Sequence, residues 1–192
     1  SSDLGSVAFG EEGGVSGLDD LLGLAVIGRK RGTDVWLGWF HAWASPMVLK
    51  RRQQIAPQLQ DYAKDGDITI VEGLPDDVTA LVGVVKQVFD SGKLCKVAMD
   101  PTRIGVVKSA LEAAKIPEEL LVGVSQGWRL TGPIVVLERR LAEGTFLHGG
   151  TRMMAWSTGN ARVEQRGNAL LVTKAASGTA KIDALMAGDR KS

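Results

Sequence analysis

In "VAFGEEGGVSGLDDLLGLAVIG" (7–28), an apolar run breaks into a Gly-rich turn carrying Glu11, Glu12, Asp19 and Asp20, and a second apolar run follows. Two further acids stand at element boundaries: Asp100, where "LCKVAMD" meets Pro101, and Asp183 in "SGTAKIDALMAG". Carboxylates drawn from distant parts of a chain make an all-oxygen donor set, which suits Mg²⁺ or Mn²⁺. Two histidines and one cysteine, Cys95, are too few for a Cys/His zinc site. Each acid also has a plain structural reading. Asp100 before a proline is a good helix N-cap. Asp183 in a first helical turn complements the helix dipole. Glu11 and Glu12 beside glycines read equally well as solvated turn residues, and Asp19 and Asp20 as turn residues or a cap for the following strand. His41 alternates with tryptophans and reads as a packed or edge histidine, and His148 in "FLHGG" as a loop residue. Trp36, Trp39 and Trp43 are spaced as core or as a partner-facing surface rather than as a base-stacking platform. No G-x-x-x-x-G-K-[ST] loop for ATP is present.

The elements that must position these acids follow from periodicity. Residues 5–11, 21–28 and 34–44 read as three successive strands with short connections, an antiparallel meander. Residues 45–66 read as a helix with Ser45 as N-cap, Pro46 in its first turn and a kink at Pro57. Residues 67–71 read as a short strand. Residues 75–92 carry Val78, Leu81, Val82, Val85 and Phe89 at helical spacing. A buried strand (94–100), a helix opened by Pro101, a strand (120–128) and a helix (132–144) closed by Gly144 follow. A hairpin turning at Gly167-Asn168 and a short last helix end the chain. A meander followed by strand–helix alternation predicts a mixed sheet with helices on both faces. The ribonuclease H-like fold has this layout, and doubly wound folds with an added hairpin share much of it; Glu12, Asp100 and Asp183 then fall where open α/β sheets gather ligands, beyond the carboxyl ends of strands.

The chain's 192 residues fit one domain. Twenty-three basic and 22 acidic residues leave a net charge of about +1, so any basic patch must be local. The single cysteine excludes an internal disulfide framework and suits a reducing compartment. No apolar run approaches the ~20 residues of a membrane span, and residue 1 opens no charged-then-apolar leader, so no secretory signal is expected.

The segments "GLDDLLGLAVIGR", "AMDPTRIG", "GVSQGWRLTGPI" and "HGGTRMMAWSTGNARVEQRGNALLVTKAASGTAKID" form a long ordered series. In it the chain resembles the C-terminal nuclease domain of the large terminase subunit of tailed bacteriophages. The resemblance implies a ribonuclease H-like, two-metal endonuclease that cuts concatemeric viral DNA at the start and end of packaging. Carried over, its acids are Glu12, Asp100 and Asp183, holding two Mg²⁺ or Mn²⁺ ions, with Asp20 near the site or a direct ligand. Lys174 and Lys181 flank the last acid and are expected on the DNA backbone. Arg103 and Arg129, and less directly Arg162 and Arg166, are further phosphate contacts, each of which also reads as ordinary surface charge.

The family's ATPase motor domain is absent, so residues 1–192 are expected to be a single nuclease domain. Its implied partners are double-stranded DNA and, in the full motor, the ATPase domain, the small terminase subunit and the portal, in the host bacterial cytoplasm and with no membrane. Two departures stand out. Relatives place an aspartate in a "G-x-D-G-G" context where this chain has "GEEGG". A longer carboxylate, at a metal site tolerating errors of only about 0.5 Å, predicts reduced activity. The tail "ALMAGDRKS" turns polar where relatives continue an apolar helix. Both departures feed an alternative reading, a catalytically weak or defective prophage-derived DNA-binding or docking module of the packaging motor.

Overall fold

The structure is a computed structural model that describes residues 2–11, 20–100, 105–124, 128–167 and 169–174, with residues 2–11, 128 and 174 described by backbone alone. β1 (Ser2–Glu11), β2 (Leu22–Lys30) and β3 (Trp36–Ala44) form the expected antiparallel meander, with Glu11 opposite Leu22 and Leu22 opposite Trp43. β5 (Leu94–Met99) adds parallel to β1 on its free side, and β6 (Leu121–Gly123) adds parallel to β5. The outer edge of β3 is shared. β4 (Ile68–Ile70) runs parallel along its C-terminal half, and β7 (Phe146–His148) along its N-terminal half. The order β4-β3-β2-β1-β5-β6, a meander extended by parallel strands, is the ribonuclease H-like layout.

Helices cover both faces, as the alternation of elements requires. α3 (Asp76–Asp90) and α4 (Gly105–Ala113) cover one face. Their Leu81, Val85 and Leu111 are fully buried against Leu22, Leu24, Trp43, Val97 and Met99. α1 (Pro46–Arg51), α2 (Ala56–Lys64) and α6 (Arg152–Asn160) cover the other. Their Val48, Leu59 and Met153 are buried against Leu21, Ala25, Ile27 and Phe40. Leu21 and Leu22 thus enter opposite cores one residue apart, as side-chain alternation dictates. Fully burying a leucine stabilises by about 1.5–3 kcal/mol, so these two layers hold the sheet. α5 (Thr131–Ala142) and the hairpin of β8 (Ala161–Arg166) and β9 (Ala169–Lys174) add a third, small cluster, in which Leu130 and Ile134 meet Ala161, Leu170 and Val172. Thr131 Oγ1 accepts the Leu170 N–H at 2.9 Å and ties the hairpin to the helix.

Several elements differ from the sequence reading. Residues 45–66 are two helices rather than one kinked helix. The turn at 52–55 separates them, and Pro57 sits in the first turn of α2, where a missing N–H is harmless. The strand expected over 120–128 is three residues long and is followed by a one-turn helix at Trp128–Leu130. "FLHGG" contains a strand, β7, in place of a loop. α6 had no counterpart in the reading. Gly144 and Gly167 take positive φ (67° and 61°) at the expected helix stop and hairpin turn. The last helix and the residue Asn168 lie outside the described residues.

Candidate functional site

Strand directions gather chemistry at one end of the sheet. The carboxyl ends of β1, β3, β4, β5 and β6 and the amino end of β2 share that end. Asp100 is the residue immediately after β5, an interior strand paired on both sides, and is half-buried there. The Val124 N–H donates to the Met99 carbonyl at 2.7 Å, so the chain leaving β6 is held beside the acid. Ala8 lies opposite Ala98, and two residues further along, the register brings Gly10 level with Asp100. Gly10 in turn faces Gly23 on β2. On β1 and β2 the positions at this level are therefore both glycine, while Val124 stands on the β6 side.

Asp20, just ahead of Leu21 and β2, is buried to 7% exposure at the same end. A carboxylate this buried needs partners, and both Asp20 and Asp100 interact with other protein groups. The hairpin acids are thus not interchangeable solvated residues: at least Asp20 is built into the fold.

The remaining expected positions divide as follows. Glu12, Asp19, Asp183, Lys181 and Arg103 lie outside the described residues. Lys174 ends β9, and its side chain also lies outside them. Glu11 is the last residue of β1. Arg129 is exposed in the one-turn helix that follows β6. Arg162 and Arg166 are exposed on β8, where Arg166 pairs with Glu164 at 3.3 Å. Among the described residues no group of three or more His, Cys, Asp or Glu could hold a metal ion. The described part of the expected set is two carboxylates at one sheet end. Carboxylate oxygens are donors of the kind Mg²⁺ or Mn²⁺ takes.

One acid at this end was not singled out from the sequence. Glu72 follows β4 in "TIVE", the pattern of an apolar strand ending in an acid that also marks "VAMD". It is exposed, and β4 stands three strand spacings from β1, roughly 14 Å. Asp100 follows β5, one strand further on, so about four strand spacings, roughly 19 Å, separate the two acids. His41 has the packed role expected of it. Its Nε2 bonds Thr69 Oγ1 at 2.9 Å, and its ring stacks on Trp39 at 5.4 Å and meets Trp43 edge-on at 4.9 Å. Burial lowers its pKa below the usual imidazole value, and the Asp67 carboxylate opposes that shift. His148 lies in β7, where its Nδ1 accepts the Gly150 N–H at 3.1 Å.

No protein-family model and no curated protein matches the chain. Among solved structures it is similar to the large terminase of bacteriophage HK97, at 21% identity and a TM-score of 0.75, over 97% of this chain and 38% of that one. The chain therefore shares the fold of a region of that terminase and spans well under half of its length.

Proposed function

We propose that this chain is the nuclease domain of a phage DNA-packaging terminase, a metal-dependent endonuclease that cuts concatemeric viral DNA by phosphodiester hydrolysis. The observation that carries the reading is Asp100 at the carboxyl end of β5, beside β1, with the buried Asp20 at the adjoining end of β2. The fold shared with a phage large terminase supports the same reading. Glu12, Asp100 and Asp183, with Asp20 beside them, are the oxygen donors that would hold two Mg²⁺ or Mn²⁺ ions. Such ions activate a water and stabilise the leaving 3′ oxygen when bound. Gly10, with no side chain at the level of Asp100 on β1, would let a sugar-phosphate backbone approach the acid from that side. Arg129, exposed just beyond β6, and Lys174, Lys181 and Arg103 would hold phosphates. Contacts of that kind position DNA without reading its sequence. Double-stranded DNA is the proposed substrate, and the ATPase domain, small terminase subunit and portal are the proposed partners in the full motor, in the host bacterial cytoplasm.

The test is nicking of supercoiled plasmid with Mg²⁺ or Mn²⁺. The wild-type chain is expected to cleave. Asp100→Asn is expected to cleave at least about a hundredfold more slowly with an unchanged circular dichroism spectrum, the upper end of what losing a ligand-supporting group costs. Cleavage equal in Asp100→Asn sinks the assignment of the site. DNA retention that falls steeply with salt, without metal-dependent cleavage, assigns the chain instead as a DNA-clamping or docking module.

A further inference from the structure

Away from the acid end, a cavity of about 360 Å³ opens between α5, β7, α6 and β3. Its walls are Phe40, Phe146, Leu137, Leu141, Met154 and Ala155. We propose that it is a binding site for a small, uncharged, largely apolar molecule of one or two fused rings. Size sets the upper and lower bounds. A cavity of about 150 Å³ holds a benzene, and pockets for small organic ligands begin at about 300 Å³.

Charge sets the class. None of the described residues lining the cavity is Lys, Arg, Asp or Glu. The arginines of the flanking helices are already engaged, Arg139 with Glu143 at 2.7 Å, Arg140 with Asp34 at 3.2 Å and Arg152 with Asp65 at 2.7 Å. The lining thus offers no cation for the phosphates of a nucleotide or phosphorylated metabolite.

The site is also preformed. Phe40 and Phe146 are each under 10% exposed. Phe146 lies so close over Gly38 that a Cβ there would sit 2.7 Å from the ring. α6 is pinned at its start, because Asp67 Oδ2 accepts the Met153 N–H at 2.9 Å and Thr151 Oγ1 accepts the Met154 N–H at 3.3 Å. The mouth is open, since Leu141 is 46% exposed and Ala155 lies on an exposed position of α6. A little polarity is available for orientation. His148, whose Nδ1 accepts the Gly150 N–H at 3.1 Å, has Nε2 left as a donor, and Thr158 adds a hydroxyl. A ring bearing one hydrogen-bond acceptor suits this wall best.

Quinoline, a neutral bicycle with one acceptor, is the probe, and naphthalene-2-sulfonate is its anionic counterpart. Each is titrated into the methyl-labelled 192-residue chain by NMR. Saturable shifts at Leu137, Leu141, Met154 and Ala155 with quinoline are expected, with the sulfonate binding at least about tenfold more weakly, a difference of ~1.4 kcal/mol. Ala155→Phe, and independently Thr158→Phe, fill the mouth from exposed helix positions and are expected to weaken quinoline at least tenfold while circular dichroism is unchanged. No saturable response overturns the proposal. So does equal binding of the sulfonate, or a response that both filled variants leave intact.

Discussion

The two faces of the sheet bury similar residues by different means. On the α3/α4 face a single uninterrupted helix, α3, lays Leu81 and Val85 against the strands, and the spacing of its apolar residues is visible in the sequence. On the opposite face the cover is assembled from pieces. α1 is six residues long, α2 begins afresh at Pro57, α6 arrives about ninety residues later, and β7 contributes Phe146 from the sheet edge. Burial is equally complete on both, since Leu59 and Met153 are as inaccessible as Leu81. Continuity of an element is therefore no guide to the quality of its packing.

The largest expected effect tests that equivalence. Leu81→Ala and Leu59→Ala each remove a fully buried side chain from one face, and each is expected to destabilise by about 2–5 kcal/mol in urea unfolding. One cooperative transition in both variants supports a single folding unit. A far cheaper Leu59→Ala, or a second transition, breaks the equivalence and makes the assembled face a separate, looser layer.

A smaller effect is confined to the assembled face. Gly38→Ala places a Cβ 2.7 Å from Phe146 and 2.8 Å from Phe40. Overpacking of this kind costs about 1–3 kcal/mol. Hydrogen exchange should speed up at β7 and leave α3 unchanged, and equal acceleration at α3 would show that the two layers respond as one.

The smallest effect comes from His41, on the partly covered margin of the α3/α4 face. Burial lowers its folded pKa, and Asp67 offsets this in part. As pH falls, the unfolded chain takes up the proton first. The stability His41 contributes is therefore complete above the ordinary imidazole range, about pH 6.5, and declines as pH drops through that range toward the lowered folded value. His41→Gln should flatten that acid limb in urea midpoints measured between about pH 7.5 and 5. An identical pH profile in the variant would place the acid sensitivity elsewhere.

The contrast between the faces is also one of legibility. The meander, α3 and α5 carry their own periodicity, and the sequence placed them to within a few residues. α6 was invisible because "RMMAWSTGN" has no marked apolar face. It is defined by partners, an Asp67 carboxylate from the β4 approach and the Thr151 cap. β7 was invisible because "FLH" runs straight into Gly149-Gly150 and reads as loop, and it is a strand because it pairs with the free half-edge of β3. At the candidate site the placing of Asp100 was legible, since an apolar strand running into Asp-Pro must end there. The burial of Asp20 was not, because one of two adjacent aspartates in a turn reads as a turn residue or a strand cap, and neither reading says how far it is buried. Glu12 and Asp183, named from the resemblance to phage terminases, lie outside the described residues and stand as part of the proposal.

What the sequence determined by itself was local: where apolar runs begin and stop, which helix faces must be covered, and that an acid closes the β5 strand. The pattern of solvent avoidance is written residue by residue and needs no distant partner. Tertiary structure decided which ends come together. Parallel and antiparallel pairing brought Asp20 to the end of the sheet where Asp100 stands, kept Glu72 three strands from β1, and joined α5, β7 and α6 around an apolar cavity. Those outcomes depend on strand order and direction, which no stretch of chain encodes alone.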